Sequence, residues 1–309
     1  MGKTAFLLAG QGSQYPGMGR EIYESSGAVR RIFDEAEKVR PGTLKQMFEG
    51  SEEELKRTVN TQPCLFLADI AATEALKESG IVPDMIAGFS LGEIAGLSVS
   101  GILSLTDAFR LVIKRGILMD EAAGKVNGGM LAVLKMDAGE LEDLCKEEGV
   151  YPVNYNCPGQ VVVSGEADRI ESLKERLASM KVRSVALSVS GPFHTPYMQT
   201  ASDGLLRELT DDGYVINVPE NILYSNFAAR PYPDDPEGIV KNITLQVSNS
   251  VRWEETLRHM WEAGADTFIE CGPGTTLSGF VKRTCPGAKI LNVCDAATLK
   301  NTAEVLRNA

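Results

Sequence analysis

The sequence predicts an α/β protein with a largely parallel sheet, interrupted by a small inserted domain of β-α-β-β-α-β order. Three observations predict it. Short apolar runs alternate with long amphipathic helical patterns along most of the 309 residues, as expected for parallel strands joined by crossover helices. Between about residues 125 and 190 the order changes to the split-βαβ, ferredoxin-like arrangement. Finally, Gly88-Phe89-Ser90-Leu91-Gly92 places a serine between two glycines directly after an apolar run, the G-x-S-x-G pattern of a strand-turn-helix elbow.

In chain order, residues 4–9 read as a strand that ends in Gly10-Gln11-Gly12. That segment begins like a dinucleotide fingerprint, but Tyr15 stands where the third glycine is needed, and the chain has no G-x-x-x-x-G-K-[ST] P-loop, Gly2-Lys3-Thr4 lacking the preceding glycine-rich loop. Residues 82–87 read as the strand that delivers Ser90, and Leu91, Ile94 and Leu97 at helical spacing open the helix behind it. A helix over 107–119 follows. Residues 130–136 then read as a strand, 138–148 as a helix, 151–155 and 160–164 as strands, 167–180 as a helix and 182–189 as a strand. The predicted large domain is thus 1–124 with 191–309, and the small domain 125–190. A helix over 253–262 carries its apolar face on Trp253, Leu257, Met260 and Trp261.

Composition narrows the function. With 31 basic against 42 acidic side chains and a net charge of −11, neither nucleic acid nor an anionic membrane is the expected partner. Six scattered cysteines form no C-x-x-C pair, so neither a zinc site nor a disulfide framework is expected. The apolar run 5–9 is too short for a signal-peptide core, and reduced thiols in a cytoplasmic protein are the expectation.

A serine at an elbow needs a base, and there are two histidines. His259 sits roughly opposite Leu257 on its helix and reads as an exposed surface residue. His194 follows the last small-domain strand, where the chain returns past the cleft between lobes, and is the candidate base; a capping or core histidine is the alternative. Two backbone N–H groups are candidates to receive an oxyanion: that of Leu91, just after the serine, and that of Gln11 in the first strand-to-helix loop, unless the latter is a plain strand-ending turn. Arg115 lies among Ala108, Leu111, Leu118 and Met119 on its helix wheel. A guanidinium there requires an anion, either an internal acid or a carboxylated substrate.

Taken together, Gly10-Gln11-Gly12-Ser13-Gln14, Thr61-Gln62-Pro63, Gly88-Phe89-Ser90-Leu91-Gly92-Glu93, Arg115-Gly116, Asn154 to Gly165, His194 and Gly272-Pro273-Gly274 resemble, in order, the signature blocks of malonyl-CoA:acyl carrier protein transacylases. The resemblance spans nearly the whole chain. It implies an α/β-hydrolase-like large domain with a ferredoxin-like insertion. It implies malonyl transfer from malonyl-CoA to the phosphopantetheine thiol of acyl carrier protein, for fatty-acid synthesis, by a monomer that uses no cofactor. A polyketide-synthase malonyl acyltransferase or a serine acyl hydrolase are the alternatives.

In this picture Ser90 forms the malonyl ester, His194 is general base and acid, Gln11 and Leu91 supply oxyanion N–H groups, and Arg115 clamps the malonyl carboxylate. Gln62, Phe193, Asn156 and Gln160 fall in blocks implied to bind substrate, with Phe193 crowding the space an α-methyl group would need. Asn249-Ser250-Val251-Arg252-Trp253 resembles the family's N-P-V-[QR]-W segment, which implies that the Arg252 carbonyl orients the histidine. Ser250 departs from the usual proline, and Phe89 from the usual histidine. Cys157 is implied to lie near the pantetheine tunnel. Lys174, Arg176, Lys181 and Arg183, or Lys282 and Arg283, could meet an acidic carrier protein.

Overall fold

The structure, a computed structural model, describes residues 2–308 except 188, 190 and 212. Its strands are β1 Lys3–Leu8, β2 Met85–Gly88, β3 Gly128–Leu134, β4 Tyr151–Cys157, β5 Gln160–Glu166, β6 Arg183–Ala186, β7 Ile222–Tyr224, β8 Ala265–Cys271 and β9 Lys289–Val293. They form two sheets, one of five strands in the order β7-β2-β1-β8-β9 and one of four in the order β4-β5-β3-β6.

All pairings in the five-stranded sheet are parallel. Both faces are covered: Phe6 and Leu8 of β1 belong to one core cluster, Ala5 and Leu7 to another. This explains why β1 reads as an unbroken apolar run rather than an alternation. The first cluster is built on helix Thr58–Glu78, buried around nearly its whole circumference, and on helix Leu105–Ala123. The second is built on helices Trp253–Glu262 and Thr276–Thr284, with Trp253 fully enclosed.

The four-stranded sheet is antiparallel, and its spatial order is that of a ferredoxin-like unit, 4-1-3-2 when its own strands are counted from β3. Helices Ala138–Glu148 and Ala167–Ser179 cover one face through Leu141, Leu144, Ile170, Leu173 and Leu177. From the other face Met130, Ala132, Val153 and Val162 join the main core, so the small lobe is docked on the large one. The predicted strand over 182–189 is shorter, Arg183–Ala186. Ser188 and Ser190, at its end and at the expected domain boundary, lie outside the described residues.

The register aligns Leu8 with Gly88, so β1 and β2 end side by side. The Gly10-Gln11 turn and the Ser90 elbow therefore leave the same carboxyl edge of the sheet, where open α/β folds place their sites.

Candidate active site

The elbow is enforced by close backbone approach. A Cβ on Gly88 would lie 2.0 Å from the Gly92 carbonyl carbon, and one on Gly92 would lie 2.4 Å from the Leu8 oxygen. Ser90 itself takes φ 52°, ψ −98°, a conformation costing about 1–3 kcal/mol that its surroundings must hold. Asn226, in the turn after β7, holds it: its Oδ1 accepts the Ser90 N–H at 2.6 Å, and its Nδ2 donates to Gly88 O at 2.7 Å. Phe89 packs edge-on against Trp253 with ring centroids 5.3 Å apart and lies near Phe280 at 6.2 Å, so the ring is part of the second core cluster.

Ser90 Oγ lies 2.8 Å from His194 Nε2. His194 is buried, has a positive φ of 59°, and sits just before the short 3-10 helix Pro196–Met198. Its Nδ1 donates to the carbonyl of Gln246 at 2.9 Å. That corrects the expectation for Arg252. Gln246 lies in the last turn of helix Pro236–Ser248, where carbonyls have no intrahelical partner and are free to accept. Arg252 instead gives its backbone N–H to Asn226 O and pairs its exposed side chain with Glu255. His259 is also corrected: its side chain is only 14% exposed, and Nδ1 bonds Ala229 O at 2.7 Å, making it a half-buried tether between a helix and a loop.

Arg115 is 1% exposed and reaches the same serine, with Nη2 3.1 Å from Ser90 Oγ and 2.8 Å from Gln246 Oε1. Among the described residues no carboxylate pairs with it directly, and its Nε has no partner. The nearest acid, buried Glu93, is held one amide away: Gln246 Nε2 donates to Glu93 Oε2 at 3.1 Å and to Ser90 O at 2.7 Å. Glu93 also accepts the Asn226 N–H at 3.0 Å and the Tyr232 hydroxyl. Burial pushes the Glu93 carboxyl up to about 7, against the pull of these donors and of Arg115. Burial, and then the charge of Arg115, hold His194 down at about 4, so at neutral pH the imidazole is uncharged and able to accept a proton.

The other predicted residues divide. Leu91 opens helix Leu91–Val99, so its N–H has no intrahelical acceptor and sits at the positive end of the helix beside Ser90. The Gln11 side chain reaches Thr58 Oγ1 at 3.5 Å, which anchors its turn to the helix bearing Gln62. Gln62 is buried, gives Nε2 to Met119 Sδ at 3.4 Å and leaves Oε1 without a partner. Phe193 is buried in the main core beside His194. Asn156 is buried on β4 with Oδ1 unpartnered. A groove of about 590 Å³ that reaches His194 is lined on the small-lobe side by Tyr151, Pro152 and Tyr155 among others, and by neither Asn156 nor Gln160. Gln160 starts β5 opposite Cys157 at the tip of the hairpin. Cys157 packs with Val251 and Trp253 in the second core cluster. Gln246, Asn226, Glu93 and Tyr232 escaped the sequence reading as functional residues; for Glu93 only its place in the elbow block was visible.

An elbow serine hydrogen-bonded to a buried imidazole, with an unpaired buried guanidinium on the same oxygen, defines a serine-dependent acyl-transfer enzyme of the α/β class. The comparisons agree. The family described as acyl transferase domain matches residues 5–304. A malonyl CoA-acyl carrier protein transacylase of Bacillus subtilis (strain 168) is 41% identical over 314 residues, covering 99% of this chain and 98% of the relative. The structure of a malonyl CoA-acyl carrier protein transacylase from Clostridium perfringens matches with a TM-score of 0.94 and 36% identity, over 99% of this chain and 98% of that one. A malonyl-transacylase solved in complex with its type II polyketide acyl-carrier protein matches with a TM-score of 0.93 and 33% identity, over 98% of this chain and 99% of that one. This chain belongs to the malonyl CoA-acyl carrier protein transacylase family.

Proposed function

We propose that the chain transfers a malonyl group from malonyl-CoA to the phosphopantetheine thiol of an acyl carrier protein, in two half-reactions through a malonyl ester on Ser90, for fatty-acid synthesis. The observation that carries this reading is the convergence of His194 Nε2 at 2.8 Å and Arg115 Nη2 at 3.1 Å on Ser90 Oγ. His194 removes the serine proton as Oγ attacks the thioester carbonyl. The Leu91 and Gln11 N–H groups receive the oxyanion, each such donor lowering the barrier by about 3 kcal/mol. The tetrahedral adduct collapses, and the imidazolium protonates the departing CoA sulfur. The carrier thiol then attacks the ester, gives its proton to His194, and Ser90 recovers its proton as the malonyl group leaves.

Arg115 suits the malonyl carboxylate because its Nε has no partner among the described residues. An arriving carboxylate also offsets the positive charge that helps hold His194 down, so the correct acyl group makes the base stronger. In this reading Gln62 and Phe193 shape the acyl end of the site. The unpartnered Asn156 amide oxygen would meet the pantetheine arm, with Gln160 at the mouth of its path. The chemistry uses side chains and backbone of a monomer in the cytoplasm, and no cofactor. No helix among the described residues is long and apolar enough to cross a membrane.

For docking, Lys174 is paired with Glu171 and Arg176 with Glu147 and Glu148, which leaves Lys181 and Arg183 on the small lobe, or Lys282 and Arg283 at the end of helix Thr276–Thr284, for an acidic carrier. The solved polyketide complex supports a second reading, in which the carrier belongs to a polyketide assembly line. Purified protein incubated with malonyl-CoA and holo carrier protein should yield malonyl-carrier. Release of free malonate in place of malonyl-carrier would replace transferase by hydrolase.

A further inference from the structure

Two charges lie buried at the base of this site, and they do not touch. Arg115 is 1% exposed and Glu93 fully enclosed, yet the Gln246 amide stands between them, accepting from Arg115 at 2.8 Å and donating to Glu93 at 3.1 Å. A buried cation with no anion nearby is strongly disfavoured, and a direct ion pair would fill the planar fork with an internal carboxylate. The relay avoids both. The guanidinium is balanced in the empty site while its Nε edge stays without a partner.

We infer that Glu93 is a positioning residue that sets the charge balance of the acyl site, a stand-off counter-ion that lets Arg115 both take up and give up a carboxylated acyl group. The inference rests on the malonyl-transfer reading. A transferase has to release what it grips, and an acyl carboxylate bound too tightly in the ground state lowers turnover. Glu93 lies one amide beyond the guanidinium, so it repels the incoming carboxylate and keeps it exchangeable. The charged and titratable groups around it are Arg115 and Tyr232, with His194 beyond Arg115. Its other bonds, to the Asn226 N–H and the Tyr232 hydroxyl, hold it in place behind the elbow.

The test is Glu93→Gln, which keeps the size and removes the charge, with Glu93→Asp as the charge-retaining control. Kinetics are measured with malonyl-CoA and with acetyl-CoA, free malonate is titrated as a competitive inhibitor, and Ser90 reactivity is read with a fluorophosphonate, which carries no carboxylate. At pH 8, above the value of about 7 to which burial raises Glu93, loss of its charge behind Arg115 should strengthen anion binding about tenfold. The malonyl-CoA KM and the malonate inhibition constant should both fall by that factor in Glu93→Gln, with a lower kcat for malonyl transfer. Acetyl transfer and fluorophosphonate labelling should change less than about threefold, since neither uses the carboxylate subsite, and Glu93→Asp should retain the parent inhibition constant. Unchanged or weaker malonate binding in Glu93→Gln, an equal decline with both acyl groups, or loss of Ser90 labelling would overturn the inference, the last by showing that Glu93 merely holds the fold. Absence of malonyl transfer in the parent protein would instead sink the functional reading on which it rests.

Discussion

Replacing Arg115 by methionine removes the guanidinium while keeping an unbranched side chain of similar reach. Arg115 has no direct ion-pair partner among the described residues. The bonds lost from the free protein are therefore those from Nη2 to Ser90 Oγ at 3.1 Å and Gln246 Oε1 at 2.8 Å. Glu93, already held up at about 7 by burial, loses a favourable neighbour and takes up a proton, which limits the cost to folding to about 1 kcal/mol. What the acyl-enzyme loses is larger for one substrate only. Charge-assisted hydrogen bonds contribute about 1.5–3 kcal/mol each, so forfeiting the carboxylate contact should lower kcat/KM for malonyl-CoA by about 100-fold, with acetyl-CoA within about threefold of the parent. The same change removes the second cause that depresses His194, so the acid limb of acetyl transfer should move up from about 4 toward the ordinary imidazole value. Steady-state kinetics with both thioesters across pH supply the measurement. Malonyl and acetyl transfer falling in step would refute the carboxylate contact, and an unmoved acid limb would refute the electrostatic coupling of Arg115 to His194.

Other outcomes follow from the same geometry. Phe89→His should leave malonyl transfer within about threefold, because the ring packs against Trp253 and Phe280 rather than toward Ser90 Oγ, but should cost about 1 kcal/mol of stability through the lost aromatic pair; a large loss of kcat with unchanged stability would contradict it. Asp69 is buried, and burial, with the charge of Glu270, pushes its carboxyl well above the ordinary carboxylate range against the pull of the Ala9 backbone N–H. The folded state then binds a proton that the unfolded state has released, so this contribution is complete below the unfolded value near 4 and is lost as pH rises toward the folded one. Asp69→Asn should therefore gain stability relative to the parent as pH increases above 4, which thermal unfolding across pH can measure; a constant difference would show that Asp69 is ionised in the fold. Lys282→Glu with Arg283→Glu should raise the KM for carrier protein and spare that for malonyl-CoA, and equal effects on both would move the docking surface elsewhere.

Much of this was legible in the sequence because side-chain patterns mark it. The elbow glycines are required by contacts of 2.0 and 2.4 Å, and such requirements leave a fixed spacing in the chain. The small lobe was legible because its helices show one apolar face each, while helix Thr58–Glu78 gave no periodic signal, being buried nearly all round. The acceptor for His194 was misplaced at Arg252 because it is a backbone carbonyl. Any residue can supply one, and which is free depends on where helix Pro236–Ser248 ends. Asn226 and Gln246 were hidden for a related reason: their amides act across 136 and 156 residues of chain on Ser90, with no local motif to announce them.

In the proposed function Ser90, served by His194, carries the acyl group between two thiols. Intact-mass measurement after brief mixing with malonyl-CoA tests it most directly. A single malonyl adduct should form on the parent protein, disappear when holo carrier protein is added, and never form in Ser90→Ala. An adduct that persists in Ser90→Ala, or none in the parent protein, would contradict it.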